Sequence, residues 1–256
     1  MIPARKSPLF NRWFAGHARS RIRERFAAVR VRGADEVKAL AGTTPLLLLS
    51  NHTSWWDPLV AIHVCQHVLE VDGYAMMDGQ NLERLPFFGL VGAFGVDLSS
   101  TADGARVVRY AAKLLSTSGR AVWVFPQGGE RPVTAPLVFK PGAAAIARVA
   151  KSAATIPIGL RYEHAGDERP HLYVSFGAPV PPGRDTAELT QRHEAAVAAE
   201  LSQIERAVRG DDDGFVTLHR RAPSVAERFL ERALARLTRS LGGPPRLPAA
   251  SRDGRT

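Results

Sequence analysis

The stretch that decides the fold is Pro45-Leu46-Leu47-Leu48-Leu49-Ser50-Asn51-His52-Thr53-Ser54-Trp55-Trp56-Asp57-Pro58. An apolar run of this length, closed by Ser50-Asn51, reads as a strand covered on both faces. It predicts that His52 is delivered to the carboxyl end of a sheet, where open α/β folds place their chemistry. Asp57 before Pro58 reads as the N-cap and first position of the next helix, because proline tolerates that slot and its predecessor avoids the α region. A histidine at a strand end and a carboxylate at the next helix start can then meet across a short loop. That suits a general base with an orienting acid. His67 and Asp72 have the same spacing but straddle the end of the following helix. They form an internal control and are expected to be incidental.

Outward from this block, strand and helix alternate as in α/β folds. Tyr74–Met77, Val96–Leu98, Ala121–Phe125, Ala154–Leu160 and His171–Phe176 read as strands. Ala102–Ser118, Gly142–Ala150 and Thr186–Val208 read as helices, and the greasy run Pro86–Phe94 as a buried helix or a pocket wall. Residues 8–30 read as an amphipathic helix, with Phe10, Phe14, Ala18, Ile22 and Phe26 at i+4 and arginines on the other faces. Beyond the polar break Asp211–Gly214, Val225, Phe229, Leu230, Ala233, Leu234, Leu237 and Leu241 form a second stripe flanked by arginines. The tail 242–256, rich in Gly, Pro and Arg, reads as disordered. The expected organisation is a basic arm over 1–33, one α/β domain over 34–210, and a C-terminal amphipathic helix and tail over 211–256.

The chain has 256 residues, 45% of them apolar, enough for one sizeable core. A single cysteine, Cys65, excludes an internal disulfide framework and a multi-cysteine metal site. No apolar run approaches the roughly 18 residues that span a bilayer, and the basic start lacks the apolar segment of a secretory signal. A reducing, cytoplasmic setting follows as the expectation. The net charge of +9 suits an anionic partner, either nucleic acid or an anionic membrane surface. Abundant arginine beside scarce lysine also fits GC-rich coding.

A second motif follows the strand at 121–125: Pro126-Gln127-Gly128-Gly129-Glu130-Arg131-Pro132. Its glycines let the backbone turn sharply and present N–H groups, and Arg131 adds a charge for an anion or polar head group. No nucleophile elbow, Walker loop, dinucleotide fingerprint or zinc helix accompanies it.

Together the motifs resemble the PlsC-like lysophospholipid (1-acylglycerol-3-phosphate) acyltransferase family. Asn51–Pro58 is similar to that family's N-H-x-S-x-x-D block, Gly92–Asp97 stands in the place of the second block, and Phe125-Pro126-Gln127-Gly128 is similar to its F-P-E-G block. Phe139-Lys140-Pro141-Gly142-Ala143 and Ile156-Pro157-Ile158 follow in family order. The resemblance implies a glycerol-3-phosphate acyltransferase-like fold, a central mixed sheet flanked by helices. It further implies His52 and Asp57 as catalytic residues, and Phe125, Pro126, Gln127, Gly128, Gly129, Arg131 and Lys140 as acceptor-binding residues. Three departures touch the acceptor. No arginine follows Asp97, Gln127 stands where the family has Glu, and Arg131 comes one place late.

The expected activity is transfer of a fatty acyl group from acyl-CoA or acyl-carrier protein to a lysolipid hydroxyl. His52 acts as general base and Asp57 orients it, with no metal and no cofactor beyond the co-substrate. Backbone N–H groups near the helix start are candidates for the oxyanion. The expected location is peripheral, on the inner face of the cell membrane. One alternative is the same fold acting on a sugar hydroxyl of a glycolipid or carotenoid glycoside, which Gln127 and the missing arginine favour. A catalytically silent membrane-binding module and a basic nucleic-acid-binding protein are the alternatives from other classes. The apolar stripes of the arms and the lack of a recognised binding module speak against nucleic acid.

Overall fold

The computed structural model describes residues 1–97, 100–164, 166–211, 214–222, 229 and 233–237. The chain runs through α1 (Pro8–Arg25), β1 (Ala28–Arg32), α2 (Ala34–Ala41), β2 (Leu46–Ser50), α3 (Asp57–His63) and a π-helical turn (Val64–Val68). It continues through β3 (Asp72–Asp78), α4 (Gly79–Arg84), α5 (Phe87–Leu90), β4 (Ala93–Val96), α6 (Thr101–Leu114) and β5 (Arg120–Val124). The last elements are α7 (Gly142–Val149), β6 (Ala154–Glu163), β7 (His171–Phe176), α8 (Thr186–Arg209) and β8 (Val216–Arg220).

The strands form one eight-stranded sheet in the order β4-β3-β5-β2-β6-β7-β1-β8. From β4 to β6 neighbouring strands are parallel; β7 reverses against β6, pairs parallel with β1, and β1 takes β8 antiparallel. The leucine-rich β2 lies inside this sheet because a strand covered on both faces hides four consecutive leucines. Leu46, Leu48, Ala121, Trp123, Ile156, Ile158 and Leu160 face α1, α2 and α3. Leu47, Leu49, Val122 and Val124 face α6, α7 and α8. Each Leu46–Leu49 side chain is 0% exposed, worth about 1.5–3 kcal/mol apiece.

Two elements differ from the sequence expectation at the N-terminus. The helix expected over 8–30 ends at Arg25, and Ala28–Arg32 joins the sheet as β1. Its buried stripe is Asn11, Ala15, Ala18 and Ile22, so Phe10 and Phe14 lie on the flank, stacked on each other, with Phe14 against Phe87 and Phe88. The arginine-rich alternation Val29-Arg30-Val31-Arg32 has strand period, and pairing with β7 overrides the helical pattern before it. The run Pro86–Phe94 divides into the short α5 and the edge strand β4, with Gly92 at φ 106 making the turn between them. Val96 closes β4, whereas Leu98 and Ser99 lie outside the described residues. After the polar break at 211–214 comes β8, a strand absent from the sequence expectation.

Met1–Arg220 forms one compact unit and Arg221–Thr256 a second. In the second unit Phe229 and Ala233–Leu237 are helical; the rest of the expected amphipathic stripe and the tail 242–256 lie outside the described residues. No helix among the described residues is long and apolar enough to cross a membrane.

Candidate active site

Two side chains fix the point where β2 stops. Ser50 Oγ accepts from the indole N–H of Trp123 at 2.8 Å. Asn51, 2% exposed, donates from Nδ2 to the Leu160 carbonyl at 2.9 Å and accepts the Leu160 N–H on Oδ1 at 2.8 Å. The amide thereby prolongs the β2–β6 ladder by one residue, and His52 leaves the sheet from a rigid edge.

Asp57 is completely buried, and its carboxylate turns back over the loop rather than forward along the helix. Oδ2 accepts from His52 Nδ1 at 2.7 Å, Thr53 N–H at 2.7 Å and Ser54 N–H at 3.0 Å, while Oδ1 accepts from the Tyr162 hydroxyl at 2.5 Å. Those donors offset the cost of burying the charge, since hydrogen bonds to an ionised carboxylate are the strong ones. The helix therefore begins differently from the sequence expectation. Trp56 occupies the cap position, Asp57 is the first helical residue, and its side chain caps nothing within α3. Of the backbone N–H groups before the helix, those of Thr53 and Ser54 are turned onto Asp57.

The Asp57 oxygen at Nδ1 selects the tautomer of His52 that donates from Nδ1, in which Nε2 is the acceptor nitrogen. The ring stacks on Phe125 at 4.4 Å between centroids, and 15% of the side chain is exposed. Its backbone is held by the loop after β5. The His52 N–H donates to Gln127 Oε1 at 2.7 Å, and the His52 carbonyl accepts from the Arg131 N–H at 2.8 Å. Gln127 is buried, 5% exposed, so its carbonyl serves the histidine and only its Nε2 end is left for a ligand.

Gly128 adopts φ 72, a left-handed turn closed by its N–H on the Phe125 carbonyl at 3.0 Å. A Cβ there would stand 2.7 Å from Lys140 Nζ, so the lysine lies directly against the turn. The Lys140 N–H donates to the Pro126 carbonyl at 2.8 Å, which ties the Phe139–Ala143 segment to the same loop. The Arg131 side chain is exposed; its contribution to the His52 contact is its backbone.

His52 stands at an apolar cavity of about 170 Å³ that runs past Phe125 and Trp123 to Met76, Phe88 and Cys65. Gly128 and Gly129 line the same mouth. Burial pushes the Cys65 thiol up to about 12, so it stays a neutral wall group. A second cavity, about 300 Å³, opens across Phe125 and Gly128 and is lined by Pro126, Lys140 and side chains of α6 and α7. The structure thus brings together His52, Asp57, Phe125, Gln127, Gly128 and Gly129, sets Pro126 and Lys140 at the adjoining cavity, and leaves the Arg131 side chain outside both.

The control pair behaves as expected. His67 Nε2 faces the Ala15 carbonyl at 3.2 Å, whereas Asp72 takes Lys6 at 2.6 Å and Arg120 at 3.4 Å.

Sequence reasoning missed Tyr162. Its signal was parity: Ile156, Ile158 and Leu160 share the face of β2 that carries Ser50, and Tyr162 is the next residue on that side of β6. Ending the strand at Leu160 hid it. Burial and the neighbouring Asp57 carboxylate hold the Tyr162 phenol protonated well above its usual range.

A family model described as Acyltransferase matches residues 28–161, a span that contains His52, Asp57 and the whole Phe125–Arg131 loop. No curated protein gives a significant match to the chain.

Proposed function

The chain belongs to the acyltransferase family, and from that premise we propose that it moves a fatty acyl group from acyl-CoA or acyl-carrier protein to a hydroxyl of a lysophospholipid-type acceptor. The observation that carries this reading is the His52 Nδ1 contact with buried Asp57 at 2.7 Å, with the imidazole at the mouth of an apolar cavity. Nε2 takes the proton of the acceptor hydroxyl as its oxygen attacks the thioester carbonyl carbon. Asp57 holds the ring orientation and stabilises the imidazolium. Collapse of the tetrahedral intermediate breaks the C–S bond, and the departing thiolate regains its proton from Nε2. Oxygen, sulfur and proton balance without an acyl-enzyme and without a cofactor beyond the donor. The apolar cavity suits the acyl chain, whose burial is favourable in proportion to its area.

Arg131, Lys140 and the glycine turn are the groups we assign to an anionic head group. A second reading, a sugar hydroxyl on a glycolipid or carotenoid glycoside, is favoured by neutral Gln127 beside His52. We also assign the protein to the cytoplasmic face of an anionic membrane, with no nucleic-acid partner. Leu9, Trp13 and Trp55 are 76%, 64% and 63% exposed, and Arg5, Arg12 and Arg19 are exposed as well, a composition suited to a lipid interface.

The test is incubation with labelled acyl-CoA or acyl-carrier protein and a panel of lysolipids and glycolipids, with products identified by mass spectrometry. Lysophosphatidate as best acceptor, with that preference lost in Arg131→Ala, selects the first reading. A better glycolipid selects the second. Absence of thioester turnover with every acceptor refutes both.

A further inference from the structure

The carboxylate of Asp57 is gripped from two directions. Its own loop supplies the donors to Oδ2, whereas Oδ1 is reached from a different strand, by the Tyr162 hydroxyl on β6. A carboxyl group on its own turns freely, since the terminal torsion of Asp has broad wells. Occupying both oxygens from opposite sides removes that freedom. We infer that Tyr162 is the positioning residue of the His52–Asp57 pair: its O–H pins the second carboxylate oxygen and weakens the pull of Asp57 on the imidazole, which sets the pH at which His52 is a free base. The inference rests on the reading of His52 as general base.

The direction follows from charge. Each hydrogen bond donated to a carboxylate favours its ionised form and spreads its charge, so less remains to stabilise an imidazolium on the other oxygen. Tyr162 therefore keeps the conjugate acid of His52 weaker-held than Asp57 alone would. The phenol donates to Asp57 and accepts from the Ser54 hydroxyl, so its own proton is committed to the carboxylate. Asp57 is its acceptor, the Ser54 hydroxyl lies beside it, and Glu130 on the loop after β5 adds negative charge at longer range. The ring itself packs on Phe26, 5.6 Å away, so the aromatic body is held independently of the hydroxyl. Protonation of the phenol across the working range keeps the donor in place at every pH at which the enzyme acts.

Tyr162→Phe removes the hydroxyl and keeps the ring. The readouts are the titration of the His52 imidazole by nitrogen-15 NMR and the acid limb of kcat/KM against pH with acyl-CoA. A hydrogen bond to a charged group corresponds to roughly one to two pKa units if transmitted whole. Through one intervening carboxylate, an upward shift of about half a unit or more is expected in both readouts. Incorporating 3-fluorotyrosine at position 162, a stronger donor, should move both downward. A His52 titration that is unchanged or lowered in Tyr162→Phe overturns the inference and leaves Tyr162 as packing. Should Tyr162→Phe fail to fold by circular dichroism, the fluorotyrosine protein decides alone, and an unshifted titration there is equally fatal. The NMR titration needs no substrate, so absent acyl transfer would count against the proposed function and not against this coupling.

Discussion

Replacing Asp57 by Asn removes the charge of the pair, and the structure dictates which way the new amide must point. Oδ2 faces the backbone N–H groups of Thr53 and Ser54, at 2.7 and 3.0 Å, and neither donor can turn away. The amide oxygen must take that place, which puts Nδ2 toward Tyr162, where a hydroxyl can rotate from donor to acceptor. His52 Nδ1–H then still finds an oxygen and keeps its tautomer. This differs from the hydrolase-triad case, where the amide variant forces the wrong tautomer and about 10⁴ in turnover is lost. Here only the electrostatic stabilisation of the imidazolium disappears. At an effective dielectric of about 20, a unit charge about 4 Å away stabilises an imidazolium by roughly 4 kcal/mol, and because the hydrogen bond survives somewhat less than that is lost. That corresponds to a loss of about 10²–10³ in kcat, with KM for acyl-CoA unchanged and the melting temperature close to that of the parent. The assay is release of free CoA thiol in the presence of an acceptor, at several pH values. Parent-like turnover would refute the catalytic role of Asp57, and a loss of 10⁴ or more would refute the argued amide orientation.

His52→Ala should lower acyl transfer by about 10²–10⁴ with an unchanged circular-dichroism spectrum, whereas His67→Ala, whose imidazole faces Ala15, should keep parent activity; equal losses in the two would sink the assignment. Burial lowers His63 and His193 to about 4, so the unfolded chain binds more protons between pH 4 and 6.5. Stability should be fully present above pH 6.5 and fall as the pH drops toward 4, by up to about 3 kcal/mol per histidine. Denaturant midpoints measured across that window should flatten in His193→Leu, and an identical slope in the variant would count against the burial argument. Sedimentation with vesicles of anionic lipid should be strong at low salt, weaken as salt rises, and drop in Trp13→Ser, whose side chain is 64% exposed; no binding at low salt would remove the membrane assignment.

The sequence was most legible where local pattern and tertiary role agree. Leu46–Leu49 reads as an interior strand, and its parallel neighbour β5 announces itself through a similar apolar run, Ala121–Val124. The pairing of His52 with Asp57 followed from that strand, while the same spacing at His67 and Asp72 carried no meaning without it. What escaped reading was decided by partners distant in the chain. Val29-Arg30-Val31-Arg32 is too short and too charged to declare itself, and becomes a strand because β7 and β8 flank it. Val216–Arg220 is similarly polar and exists as a strand only against β1. Tyr162 lies 105 residues from Asp57, and no local rule connects a tyrosine near a strand end to a carboxylate at a helix start.

The departures from the family resemblance leave the internal polar contacts around His52 intact. Around His52 and Asp57 the polar groups are engaged internally: Asn51 with Leu160, Asp57 with its loop and Tyr162, the His52 backbone with Gln127 and Arg131. A change there leaves a buried donor or acceptor unpaired, at about 1–3 kcal/mol each. Gln127 is the exception, because a glutamate in its place would accept the same His52 N–H and the exchange alters charge without altering the contact. Around the glycine turn, the Arg131 and Lys140 side chains are exposed, Lys140 lying against Gly128, so a change at either comes at little cost to the fold. Asn51–Pro58 therefore keeps the family pattern, while the second block, Gln127 and the placing of Arg131 do not. On the proposed reading, acceptor choice can shift on such a scaffold while the His52–Asp57 contact stays as it is.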